Sequence, residues 1–129
     1  MPGPGRSQFT YAILRVVPRI ERGERLNAGV VLYCREHDFL AARVGLDEGR
    51  LAALAPDVAP AAVRAHLDAL VRIAAGAPDA GPVAALPQGE RFGWLASPSS
   101  TIVQPSEVHS GLCEEPAATL DQLFADLVE

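Results

Sequence analysis

The chain has 129 residues, near the usual size of one domain and long enough for a single core. Apolar residues make up 49% of it and aromatic residues only 5%, so it reads as globular, not disordered, with a core of Leu, Val and Ala. The net charge is −5 and all eleven basic residues are Arg, which argues against general nucleic-acid binding and excludes a Schiff-base or P-loop lysine.

Residues 1–8 open on Met1-Pro2-Gly3-Pro4-Gly5 and are expected to form a flexible tail, with 9–129 as a single domain. The tail lacks the charged-then-apolar pattern of a signal peptide. No apolar run approaches the roughly 20 residues needed to span a bilayer, so a cytoplasmic protein without membrane association is expected. Phe9 to Val17 reads as a strand, with Phe9, Tyr11 and Ile13 on one face and Ala12, Leu14 and Val16 on the other. Pro18 ends it, and a charged connection runs from Arg19 to Arg25 with Gly23 free to turn. Asn27 to Cys34 is nearly all apolar, the mark of a strand covered on both faces. After the polar turn Arg35-Glu36-His37-Asp38, Phe39 to Val44 gives a third strand and completes an antiparallel meander.

Helices follow. Asp47 can cap a short one through Leu54. Pro60 suits the first turn of a longer one that ends at Gly76, with Val63, Leu67, Leu70 and Ala74 along one side. Residues 77–89, rich in Pro and Gly, read as a loop. Phe92 to Leu95 and Thr101 to Gln104 are short strand candidates around the Ser97-Pro98-Ser99-Ser100 turn. Pro116 opens a last helix to Val128, with Leu120, Leu123, Phe124 and Leu127 as its buried stripe. Strands in a run followed by helices indicate an α+β fold: a two-layer sandwich with an antiparallel sheet of about four to five strands and helices packed on one face.

Cys34 and Cys113 are too few and too scattered for a disulfide framework or a zinc site and read as reduced, partly buried thiols. His37, His66 and His109 have no metal-ligand spacing, so no metal and no cofactor are expected. His109 lies near Ser97, Ser99, Ser100, Ser106 and Ser110, and Glu24, Glu107 or Asp121 could complete a triad. No serine has the Gly-x-Ser-x-Gly frame, and Ser/Pro clusters ordinarily make turns. Arg15, Arg19, Arg22 and Arg25 form the one dense basic segment, either an anion or partner contact or a solvated turn laced with ion pairs. Asn27 enters an apolar strand, where a buried amide needs partners. Trp94, beside Arg91 and Phe92, is the best candidate for a recognition surface, since Trp and Arg are enriched at interface hot spots. The alternative is that the chain simply uses it in the core.

Several strings together resemble a known family: Tyr11-Ala12-Ile13-Leu14-Arg15-Val16-Val17-Pro18, Gly23-Glu24-Arg25-Leu26-Asn27-Ala28-Gly29-Val30-Val31-Leu32, Arg91-Phe92-Gly93-Trp94-Leu95, Ser97-Pro98-Ser99-Ser100-Thr101, Val108-His109-Ser110-Gly111-Leu112 and Asp121-Gln122-Leu123-Phe124. From about Phe9 to its end the chain resembles a bacterial family known as domain of unknown function 3037. The resemblance brings no activity and no catalytic set. It implies a small accessory protein with a protein partner, and a kinase-like neighbour is the partner it suggests. The residues it picks out are Glu24, Asn27, Arg91, Trp94, Ser100, Gln104 and His109. The expectation is therefore a non-catalytic binding module in which these residues share one polar-aromatic surface. Against it stands a small hydrolase or transferase in which His109 is the general base, oriented by Glu24, with Arg91 holding an anionic substrate and a serine taking part.

Overall fold

The apolar alternation of the first strand decides the architecture, because both of its faces must be covered. A computed structural model describes residues 5–99 and 101–129. Strand β1 (Ser7–Val16) begins two residues inside the expected tail and lies at the centre of a five-stranded antiparallel sheet. On one side it pairs with β2 (Leu26–Cys34), which pairs in turn with β3 (Phe39–Val44). On the other side it has two successive partners, β4 (Val103–Pro105) at its C-terminal end and β5 (His109–Cys113) at its N-terminal end.

Four α-helices are described. In α1 (Glu48–Leu54) the Asp47 carboxylate caps the first turn by accepting a hydrogen bond from Arg50 N at 3.0 Å. Helix α2 (Pro60–Ala75) starts with Pro at its first turn, buries Val63, Leu67, Leu70 and Ala74, and stops at Gly76, whose φ of 70° closes the helix in the left-handed region. Helix α3 (Gln88–Leu95) replaces the strand expected over Phe92 to Leu95. Its Phe92 and Leu95 are both buried; three residues apart, they share a helix face, whereas in a strand they would point to opposite sides. Tyr33 of β2 stacks on Phe92 with ring centroids 5.6 Å apart. The expected loop before α3 carries a short 3-10 turn at Val83–Ala85, and the strand expected over Thr101 to Gln104 forms at Val103–Pro105. Helix α4 (Pro116–Leu127) follows β5.

The α+β class and the antiparallel sheet are as expected, but the helices are not confined to one face. Ala12, Leu14 and Val16 of β1 pack with Leu51, Val63, Leu67, Phe92 and Leu95 from α1, α2 and α3. Phe9, Val30, Leu32 and Cys34 pack on the other face with Leu120, and Leu123 and Leu127 of α4 lie against them. The two-layer expectation is corrected to a sheet between two helical layers. Apolar residues on both faces of β1 and β2 force that arrangement, since either face left open would expose a contiguous hydrophobic patch.

Candidate functional site

A one-residue irregularity in β2 sets up the polar part of the α4-side face. Pairing runs from Ile13 with Val30 to Leu14 with Gly29, then jumps to Arg15 with Asn27. The slip exchanges the faces of what precedes it. Leu26 and Ala28 thereby enter the core under α2, and Asn27 turns to α4, where its Nδ2 donates to Leu127 O at 3.0 Å. Arg15 stands opposite Asn27 on one side and Gln104 of β4 on the other, so the three side chains share a face. Further along β1, Tyr11 pairs with His109 of β5, with ring centroids 5.3 Å apart. Between β4 and β5, buried Ser106 bridges the break. Its N–H donates to Ile13 O and its Oγ accepts from Ile13 N, both at 2.8 Å, and the hydroxyl donates to Glu107 O at 2.9 Å. Glu107 is exposed, with Oε1 3.8 Å from His109 Nε2. A hydrogen bond from its own backbone amide holds its carboxyl below the usual carboxylate range, and the charges of Arg15, His109 and Arg25 add to that lowering.

A second constellation lies on the opposite face, where α2 and α3 meet the loop leading to β4. Arg91 is a staple within this layer: Nη1 donates to Leu86 O at 2.8 Å and Nη2 to Ala74 O at 3.2 Å, tying the end of α2 to the segment before α3. Trp94, one turn further along α3, is 49% exposed. It walls a cleft of about 400 Å³ with Leu14, Leu70, Leu95, Val103, Pro98 and Pro105, while His66, Ser97, Ser99 and Thr101 supply polar atoms. Among the described residues no Asp, Glu or Arg lines the cleft.

The single surface expected for the candidate residues is divided by the sheet. Asn27, Gln104 and His109 belong to the α4-side face; Arg91 and Trp94 belong to the α2–α3 layer, because α3 carries its buried residues to that side. Glu24 lies in the turn before β2 and pairs with Arg22, not with His109. Ser100 lies outside the described residues. The sheet between the two groups is the physical reason they do not meet. Among the described residues His109 makes no hydrogen bond to a serine or to Glu24, so the geometry supplies no nucleophile–base pair. Arg91 presents its guanidinium to two carbonyls and not to a site. Sequence reasoning missed His66 as a cleft residue and Arg15 as the centre of the polar face. Position 15 continues the Phe9-Tyr11-Ile13 alternation, so its face was readable, whereas the approach of β4 and β5 was not.

Cys34 and Cys113 are both free, as expected, and both buried, further than the partial burial expected. Burial pushes the Cys113 thiol above its ordinary range, and the neighbouring Cys34 adds to the effect. No group of three or more His, Cys, Asp or Glu among the described residues is placed to hold a metal ion, and no described helix is long and apolar enough to cross a membrane. Residues 11–128 match the model of a family described as Protein of unknown function (DUF3037). No curated protein and no solved structure matches the chain.

Proposed function

The chain belongs to the DUF3037 family, whose description assigns no activity, and we propose that it works as a non-catalytic accessory module that seats a protein partner in the Trp94 cleft. One observation carries this reading: a tryptophan half in water forms the wall of a concave, uncharged cleft. A large aromatic gains most when a partner completes its burial, which is why Trp is so frequent among binding hot spots. The cleft falls at the small end of ligand-binding clefts, about 300–1,000 Å³. An apolar side chain of the partner fills it, while His66, Ser97 and Thr101 give hydrogen-bonding choices at its rim. The partner we propose is the kinase-like protein suggested by the family resemblance, and the setting is the bacterial cytoplasm.

The test is a titration of that kinase-like protein, with and without nucleotide, followed by the emission of Trp94, the one tryptophan of the chain. The expected result is a saturable blue shift at micromolar partner. By calorimetry, Trp94→Ala should weaken the complex about thirtyfold or more, the mark of a hot spot. Absence of a complex at micromolar concentration, or a complex indifferent to Trp94→Ala, overturns the reading.

A further inference from the structure

We infer that the sheet face around Arg15 is a separate binding site for an oxyanion, a carboxylate or phosphate group gripped by the Arg15 guanidinium between its cross-strand neighbours Asn27 and Gln104. Arg15 occupies the central strand with neutral amides as cross-strand neighbours, Asn27 on one side and Gln104 on the other. Among the described residues its side chain forms no ion pair and no hydrogen bond, and its Nε is buried without a partner. Arg91 shows the contrast: its Nε is likewise unpartnered, but both of its terminal nitrogens donate to carbonyls. A half-buried charge with no protein acceptor is a poor way to stabilise a sheet, since desolvation is left unanswered. It is a good way to keep a planar fork of donors ready for an anion.

The surroundings agree. Arg25 is exposed and has no ion pair among the described residues, and His109 pairs with Tyr11 on β5, which continues the same edge of β1. His109 Nε2 lies 3.8 Å from Glu107 Oε1, and the charges of Arg15, His109 and Arg25 all favour the ionised form of that carboxylate, so the field along this edge is positive. Glu107 is exposed and, among the described residues, makes no ion pair with Arg15, so water screens the attraction. It works as a loose internal competitor. An incoming oxyanion makes the short, charge-assisted bonds that Glu107 does not. Ser106 and the slip in β2 fix the backbone on both sides of Arg15, which preorganises the fork.

The experiment is a titration of the full chain with inorganic phosphate and, separately, with acetate, near neutral pH and at ionic strength held constant with chloride. It is read by the nitrogen–proton NMR signals of the arginine Nε groups and of the Gln104 and His109 amides. Saturable shifts are expected, and the tighter of the two anions identifies the oxyanion class. Arg15→Met should abolish them. Arg25→Gln, which removes one positive charge from the field along this edge, should weaken binding about threefold. Glu107→Gln should tighten it, because the competitor is gone. Shifts that do not saturate, or that persist in a folded Arg15→Met variant, overturn the site. If Arg15→Met does not fold, the opposite directions expected for Arg25→Gln and Glu107→Gln decide the matter, and any other pair of directions refutes it.

Discussion

Ser106 sits where β1 changes partner. A strand that leaves one neighbour and takes another exposes an N–H and a C=O at the junction, and here both belong to Ile13. The serine answers them with its own N–H and its hydroxyl oxygen, which is why a residue of that small, polar kind is 5% exposed in the middle of an apolar sheet. Ser106→Ala should leave Ile13 N buried and unpaired and lower stability by about 1–3 kcal/mol, measured by urea denaturation. Replacing Ser99, an exposed serine of the turn, should change stability by less than about 0.5 kcal/mol. In the sequence Ser106 is only one of five serines near His109. Nothing local distinguishes it, because its role depends on Ile13, 93 positions away. Asn27 was different: an amide inside an apolar strand announces that it has partners, and the carbonyl of Leu127 proves to be one. For Arg91 and Trp94 the sequence marked the right neighbourhood but not the division of labour between them. Three apart on α3 they share a helix face, and what each meets there differs: Arg91 donates to the carbonyls of Leu86 and Ala74, while Trp94 stays half exposed.

At the scale of elements, legibility followed local signal. The Pro60-to-Gly76 helix and the Phe39–Val44 strand emerge at their expected bounds because periodicity, cap and terminator agree within a few residues. The second half of α3, Phe92 to Leu95, carries a strand signal because the helix's eight residues contain two glycines and two aromatics, so propensity and pattern point apart until tertiary packing decides. Strand β5 has almost no β signal of its own. His-Ser-Gly-Leu-Cys is a strand because β1 offers it an edge, and Gly111 is required because an added Cβ would stand 2.8 Å from the Phe9 ring. The continuous apolar run of β2 already said that both faces are covered; following that signal through gives α4 its place. Phe124 anchors α4: it is buried, its ring lies against Gly45, and the Arg43 guanidinium rests 4.5 Å above its centroid. Phe124→Ala should cost about 3–5 kcal/mol in denaturant unfolding. Asp121→Ala, which removes only the exposed pairing with Arg43 from the same helix, should cost less than about 1 kcal/mol.

The whole molecule has two apolar clusters separated by one sheet, and the question it raises is whether they melt together. Each cluster borrows residues from the same strands: Leu14 and Val31 serve one side, Phe9 and Leu32 the other. A strand cannot lose its order for one layer and keep it for the other, so neither helical layer has a sheet to pack on once the other is gone. At this chain length a single cooperative transition is the ordinary outcome. The sequence provides an independent probe for each layer. Trp94 emission reports on the α2–α3 side, and the thiols of Cys34 and Cys113 report on the α4 side. The thiols should resist a disulfide-exchange reagent in the native protein, because burial holds Cys113 in its protonated form and both sulfurs lie away from solvent. As guanidinium rises, loss of native Trp94 emission and the gain of thiol reactivity, sampled by brief pulses of reagent, should follow one curve with one midpoint. Thiols that become reactive at lower denaturant than the tryptophan signal would mean that α4 detaches from a surviving sheet, and the two-sided dependence argued from β1 and β2 would then be wrong. The same linkage fixes the sign of the alkaline response. With the folded Cys113 pKa raised above its unfolded value, its contribution is intact below the unfolded pKa and declines as pH rises through the folded one, so the common midpoint should move to lower denaturant in alkali, and Cys113→Ala should reduce that movement.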